Sequence, residues 1–266
     1  MTVFYFTATG NSLYVAKQLS PEPLSIPQLL KKGPEELLFR DDAIGIVYPN
    51  FGGSQPPLVK EFLNKAQFET GYFFMIATYG FRAGASADSA NDICASAGIP
   101  LSFFRAVFMV DNYLPNFDIE KELQMDKKVG EQIAALKADI AARKKEVILS
   151  TQEEIEARQK HLAERRAKQA AERGGKPAPD LSRGKMFLIT DACVGCGTCT
   201  KVCPRGDFEI RNGRSFHNGG FCDNCLACVH NCPVNAFRLA VPEKNPEARY
   251  RNPEISLKEI IMSNLQ

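Results

Sequence analysis

The chain has no tryptophan, no long apolar run and almost no net charge. Each absence excludes something. Thirty-three Lys and Arg stand against 31 Asp and Glu, a net charge of +2. That balance gives no electrostatic basis for holding nucleic acid or an anionic membrane surface. No stretch reaches the roughly 18 consecutive apolar residues a membrane span needs. No basic segment precedes an apolar one at the N-terminus, so a secretory signal is not expected and a cytoplasmic location is.

Cysteine is plentiful and lopsided. Of nine, Cys94 stands alone and eight lie between Cys193 and Cys232. Clustered cysteines in a reducing compartment point to metal rather than disulfides. With 266 residues, 44% of them hydrophobic, the chain can bury a core in each of two domains.

Along the first part, apolar runs alternate with helical patterns. Residues 2–6, 43–48, 71–77 and 103–110 read as strands, with a short fifth near Leu24–Ile26. Residues 11–19, 58–66 and the stretch up to Ala97 read as helices. Near-continuous apolar strands between helices predict a parallel sheet covered on both faces. The expected fold is therefore an open, doubly wound α/β sheet of about five strands. A helix is expected from Asp118 to about Ile148, with Ile133, Leu136 and Ile140 on the sheet.

Ser150-Thr151-Gln152-Glu153 carries a capping-box pattern, so a further helix is expected to start there. Residues 151–173 are charged on nearly every side and read as a solvated spacer helix, ended by Gly174-Gly175, with a docking surface for a partner as the alternative. The segment 176–185 has linker composition. Phe208–Phe216 reads as a hairpin about Asn212-Gly213. Ile255, Leu257, Ile260, Ile261 and Leu265 suggest a terminal helix with one apolar stripe.

The strongest signal is CVGCGTCTKVCP from Cys193, repeated as CDNCLACVHNCP from Cys222. Both are C-x2-C-x2-C-x3-C-P. Three close cysteines wrap one [4Fe–4S] cube, and the fourth, before proline, reaches the other cube. One cluster is thus expected on Cys193, Cys196, Cys199 and Cys232, the second on Cys222, Cys225, Cys228 and Cys203. Gly195 and Gly197 let the backbone turn tightly, and Pro204 and Pro233 redirect the chain. Structural zinc prefers separated pairs of cysteines and does not suit two runs of four. His217 and His230 are expected at the surface or behind the ligands. Cys94, in DICASAG, is expected in the core. The segment 186–240 resembles the bacterial two-cluster ferredoxins.

The first strand ends in TATGNS. Thr7, Thr9, Asn11 and Ser12 supply neutral donors about Gly10 at a helix N-terminus, a place suited to an anion. Neither G-x-G-x-x-G nor G-x-x-x-x-G-K-[ST] occurs there, which disfavours a dinucleotide or a nucleoside triphosphate. A phosphate monoester fits the donors. The pattern resembles the phosphate loop of flavodoxins, over about residues 1–145, with Ser12 where threonine is usual. The resemblance implies FMN. Pro49, Asn50, Phe51, Gly52 and Gly53 then match the loop on one side of the flavin ring, and Thr78, Tyr79, Gly80 and Gly84 the loop on the other. Without tryptophan, the stacking aromatic falls to Phe51 or Tyr79. Asp111-Asn112-Tyr113, after the next strand, is within reach of this pocket, though an ordinary turn is the favoured reading.

The whole resembles fusions of a flavodoxin-like domain with a two-cluster ferredoxin domain. The expected units are 1–149 for FMN, 150–185 for helix and linker, and 186–266 for the clusters and the terminal helix. The expected function is electron transfer between FMN and two [4Fe–4S] clusters, joining one- and two-electron redox proteins. A flavin-dependent reductase of a small substrate such as a quinone, and a redox-dependent interaction protein, are the alternatives. Donor, acceptor, catalytic residues and oligomeric state, including a homo-oligomer, stay open.

Overall fold

Strand β1 (Thr2–Tyr5) sends alternate side chains to opposite faces, and that alternation organises the first half of the molecule. A computed structural model describes residues 1–174, 177 and 180–264. Gly175, most of the 176–179 linker and Leu265 therefore lie outside the described residues. β1 lies between β2 (Leu24–Ser25) and β4 (Ala43–Pro49), followed outward by β6 (Tyr72–Tyr79) and β7 (Leu101–Phe108). All pairings are parallel, in the order β2-β1-β4-β6-β7. This is the doubly wound, flavodoxin-like arrangement, with the direction of winding reversing between β1 and β4. A second small parallel pair, β3 (Leu38–Arg40) with β5 (Gln67–Glu69), flanks it.

Val3, Tyr5, Val47, Phe74, Ile76 and Val107 face one layer of helices. That layer is α1 (Asn11–Leu19), α6 (Val129–Ala141) and α10 (Leu257–Asn264). Phe4, Phe6, Ile44, Ile46, Phe73 and Met75 face the other layer, α3 (Pro57–Lys65) and α4 (Ser86–Ser96). Cys94 is fully buried there, as its apolar setting predicts. Gly45 interrupts the central strand for a steric reason: a Cβ there would sit 2.0 Å from Phe74 Cζ.

Two expectations need correction. The helix read over 118–148 is two helices, α5 (Ile119–Leu123) and α6. Lys128 turns with φ 51° between them, and Lys127 folds inward to pair with Glu122 at 2.9 Å. Beyond α6 the chain runs extended along β7: Glu146 N donates to Ser102 O, and Phe104 N to Glu146 O. Second, the capping box of α7 (Gln152–Glu172) is Thr151 with Glu154, one residue later than the pattern suggested. Ser150 bonds Asp88 instead, through its N–H (2.9 Å) and its hydroxyl (2.7 Å). No residue of α7 is buried, as expected of a solvated helix.

Helix α10, placed by sequence with the cysteine-rich unit, packs between that unit and the sheet: Asn264 Nδ2 donates to Val202 O at 3.2 Å on the cysteine-rich side. Ile260 enters the sheet core, Tyr5 and Ser263 share a hydroxyl bond of 2.8 Å, and Lys17 meets Glu259 at 2.6 Å. No helix among the described residues is long and apolar enough to cross a membrane.

Candidate cluster and loop sites

The cysteine-rich unit is built from two similar halves. β8 (Phe187–Ile189) pairs antiparallel with β11 (Phe237–Leu239). Between them lie α8 (Thr198–Val202), the hairpin β9 (Phe208–Arg211) with β10 (Arg214–His217), and α9 (Ala227–His230). The hairpin turns on Asn212 and Gly213, both left-handed, as their types predict. Phe187, Phe208 and Phe237 pack mutually within 6 Å in the core between the halves.

Each cysteine run loops through a left-handed residue two and four places after its first cysteine. In the first run these are Gly195 (φ 65°) and Gly197 (φ 76°). Gly195 is doubly constrained, since a Cβ would stand 2.4 Å from Gly213 O. In the second run the same places hold Asn224 (φ 52°) and Leu226 (φ 60°). Asn tolerates that region, whereas Leu strains in it. Burial of Leu226 in the aromatic core opposes the strain.

Two cavities result. Cys193, Cys196, Cys199 and Cys232 line one, with Pro233, Val194, Ile210 and Val234. Cys203, Cys222, Cys225 and Cys228 line the other, with Pro204, Phe208 and Phe221. Each cavity thus takes three cysteines from one run and the last from the other. Among the described residues no three ligand side chains converge as a single ion requires. The quartets surround a space. Ser215 N (3.4 Å) reaches Cys193 Sγ, Ala236 N (3.3 Å) reaches Cys232 Sγ, and Asn224 N (3.4 Å) reaches Cys222 Sγ. Such amides stabilise negative sulfur. The soft thiolate set, its amide donors and its apolar walls suit an iron–sulfur cube. Burial pushes the Cys225 and Cys228 thiols well up, so both need a positive partner to ionise.

The first cavity is the more open. Cys196 is exposed and Val194 is 65% exposed. The second abuts the sheet unit: Cys225 packs against both sheet cores. Asp223 Oδ1 accepts from Leu58 N in the first turn of α3 (3.0 Å). Arg205 bonds Asp223 (2.5 Å) and Glu61 (2.6 Å). Neither Asp223 nor Arg205 carried a recognisable pattern in the sequence.

The three loops expected to cradle FMN do converge at the carboxyl ends of the strands. Ser12 Oγ and Thr78 Oγ1 share a bond of 2.9 Å. Asn50 N donates to Thr78 O (2.8 Å), and Asn50 Nδ2 reaches Arg82 O and Ala83 O, both at 3.2 Å. Gly53 N donates to Asn50 Oδ1, and Gly84 lies against Gly53. Pro49 ends β4 in register with Thr78, and Gly52 is exposed. Gly80 carries no side chain because a Cβ would meet Asp111 Cα at 2.2 Å. Of the two candidate stacking rings, Tyr79 lies 5.4 Å from Phe108 and Phe51 packs on a sheet core.

The phosphate loop itself is closed. Thr7 and Thr9 are each 3% exposed, Ser12 1% and Asn11 7%. A phosphate-sized space would leave its walls accessible, so these residues do not admit one as folded. Asn112, read as part of a plain turn, donates to Thr9 Oγ1 at 2.6 Å. His230 is buried rather than superficial. Its Nε2 meets Asn112 O (2.8 Å) and its Nδ1 accepts from Tyr250 N (3.1 Å). Burial lowers its pKa to about 4, so the ring is neutral. His217 is edge-on to Phe187 and Phe208 and faces Asp207 at 3.2 Å.

Residues 185–233 match the family model described as a 4Fe-4S dicluster domain. An uncharacterized ferredoxin of Methanocaldococcus jannaschii is 36% identical over 69 residues, which are 24% of this chain and 90% of that one. Pyruvate synthase subunit PorD of the same organism is 38% identical over 61 residues, 23% of this chain and 71% of that one. A provisionally assigned flavoprotein from Bacteroides eggerthii aligns in structure with 53% of this chain and 96% of its own. Its TM-score is 0.30 at 17% identity, too weak to argue from.

Proposed function

The chain belongs, through its cysteine-rich unit, to the 4Fe-4S dicluster ferredoxins, and on that premise we propose that it transfers electrons through two clusters held on the crossed quartets. The observation that carries the reading is the pair of cavities, each lined by four cysteines. Cys193, Cys196, Cys199 and Cys232 hold one cluster, and Cys222, Cys225, Cys228 and Cys203 the other. Bound cubes supply one-electron exchange. The protein supplies thiolates, amide donors and apolar walls, which shield the second site more than the first. Ser215 serves the first site twice, by its N–H to Cys193 and its hydroxyl to Cys199 (2.9 Å). Redox protein partners have their access at the open first site, beside Cys196 and Val194.

The wider expectation is a relay between FMN and the clusters, for which the three loops would have to take the flavin. It requires the closed phosphate loop to open, so no step is placed on a flavin. Anaerobic reconstitution tests the proposal. We expect about eight iron and eight sulfide per chain, four for each quartet. Stepwise reduction, followed by visible absorption and EPR, should then reveal two cubic centres. One centre, or none, overturns the proposal.

A further inference from the structure

The β1–α1 loop has the donors of a phosphate site and the burial of a core. What covers it is the chain's own later sequence. Tyr250 OH donates to Asn11 Oδ1 at 2.7 Å, and Asn252 Nδ2 donates to the same oxygen at 3.1 Å. Asn252 N donates to Thr9 O at 2.7 Å, and Asn231 Nδ2 to Ala8 O at 3.2 Å. Asn11 Nδ2 is itself spent on Val110 O at 3.1 Å.

The chemistry of these bonds matters. The loop presents two carbonyls and an amide oxygen, all acceptors, to the covering residues. A phosphate can satisfy none of them, because it brings acceptors of its own. The phenol of Tyr250, the amides of Asn252 and Asn231 and the Asn252 N–H can. The steric fit agrees. Gly10 has φ 102°, and a Cβ there would stand 2.9 Å from Asn252 Cβ and 3.0 Å from Ile255 Cβ. Gly10 thus allows the covering segment, rather than a ligand, to approach the backbone. Ile255 continues into the sheet core beside Leu13 and Ala16.

We propose that the β1–α1 loop is a socket for segment 250–255, not a cofactor site, and that it locks the cluster unit over the carboxyl edge of the sheet. Tyr250 N on His230 and Asn231 on Ala8 tie this segment, the loop and α9 into one body. α9 carries Cys228 and precedes Cys232, so the socket fixes part of both quartets to the sheet.

The test uses the full reconstituted chain. Heat-released flavin is measured first, then quenching of added FMN fluorescence, with inorganic phosphate as a second probe. Neither ligand should bind. Amide exchange over residues 7–14 is then compared between the parent and two variants, Tyr250→Phe and Asn252→Ala. Each loses one bond to Asn11, so exchange should rise up to about tenfold in each. Stoichiometric FMN on the chain, or saturable binding of either ligand at this loop, overturns the inference. So does unchanged exchange in both variants. Iron content tests the cluster reading and not this one, so the two can fail separately.

Discussion

Asp223, one place after the first cysteine of the second run, accepts the Leu58 N–H at 3.0 Å across the boundary between the two units. Its side chain is fully shielded from solvent, and its second oxygen bonds the Arg205 guanidinium. The carboxylate thus acts as the N-terminal cap of α3, supplied from another part of the chain. Asp223→Ala should cost about 3–5 kcal/mol, since it leaves Arg205 without its shielded partner. Glu61→Gln, at the more exposed end of the same network, should cost about 1 kcal/mol or less. Denaturant titration of the reconstituted protein gives both values, and equal losses would contradict this ranking.

The crossed quartets make a pairwise prediction. Cys232→Ser should disturb the same EPR signal as Cys196→Ser, although position 232 lies in the other run. Cys203→Ser should likewise match Cys225→Ser. If Cys232→Ser instead resembled Cys225→Ser, each run would hold its own cluster.

The two sites differ in exposure, so they should differ in lability. Cys196 is exposed, whereas Cys228 is buried and Cys225 lies against the sheet cores. A ferrous chelator added after reduction should strip the Cys193 site first. EPR spectra taken over the course of iron loss, assigned with the serine variants, check the order.

Glu122 and Lys127 pair at 2.9 Å with side-chain exposures of 8% and 3%. Lys127 also sits 4.0 Å over the Phe108 ring, and Glu122 accepts from Asp111 N. Lys127→Met alone should cost about 3–5 kcal/mol by stranding a carboxylate. Adding Glu122→Leu should recover a large part of that loss. A double-mutant cycle in urea measures the coupling.

Cys94 is 0% exposed, its Sγ lies 3.4 Å from Met75 Sδ, and burial pushes its pKa up to about 12. An ordinary thiol is half ionised near pH 9. Between pH 9 and about 12 the unfolded state therefore binds fewer protons than the folded one. Stability from this group is complete below pH 9 and declines as pH rises through that window. At pH 9, iodoacetamide should leave Cys94 unmodified in the folded chain and modify it on unfolding. Mass spectrometry of its peptide gives the answer.

The sequence by itself determined the alternating strands and helices, the sheet class and the cysteine quartets. These follow from local periodicity and from spacings of two or three residues, which geometry converts directly into faces and loops. It also located the three loops at the strand ends. It could not show that the first of them is filled. Asn11 meets Tyr250 and Asn252 across some 240 positions, and no local pattern encodes such a contact. The same limit hid Asp223 at α3 and the bonds α10 makes to the sheet unit. A hydroxyl-rich loop is equally good at holding a phosphate or an asparagine. Which residues of the chain press against it depends on segments some 240 positions away, and only the tertiary structure decided that.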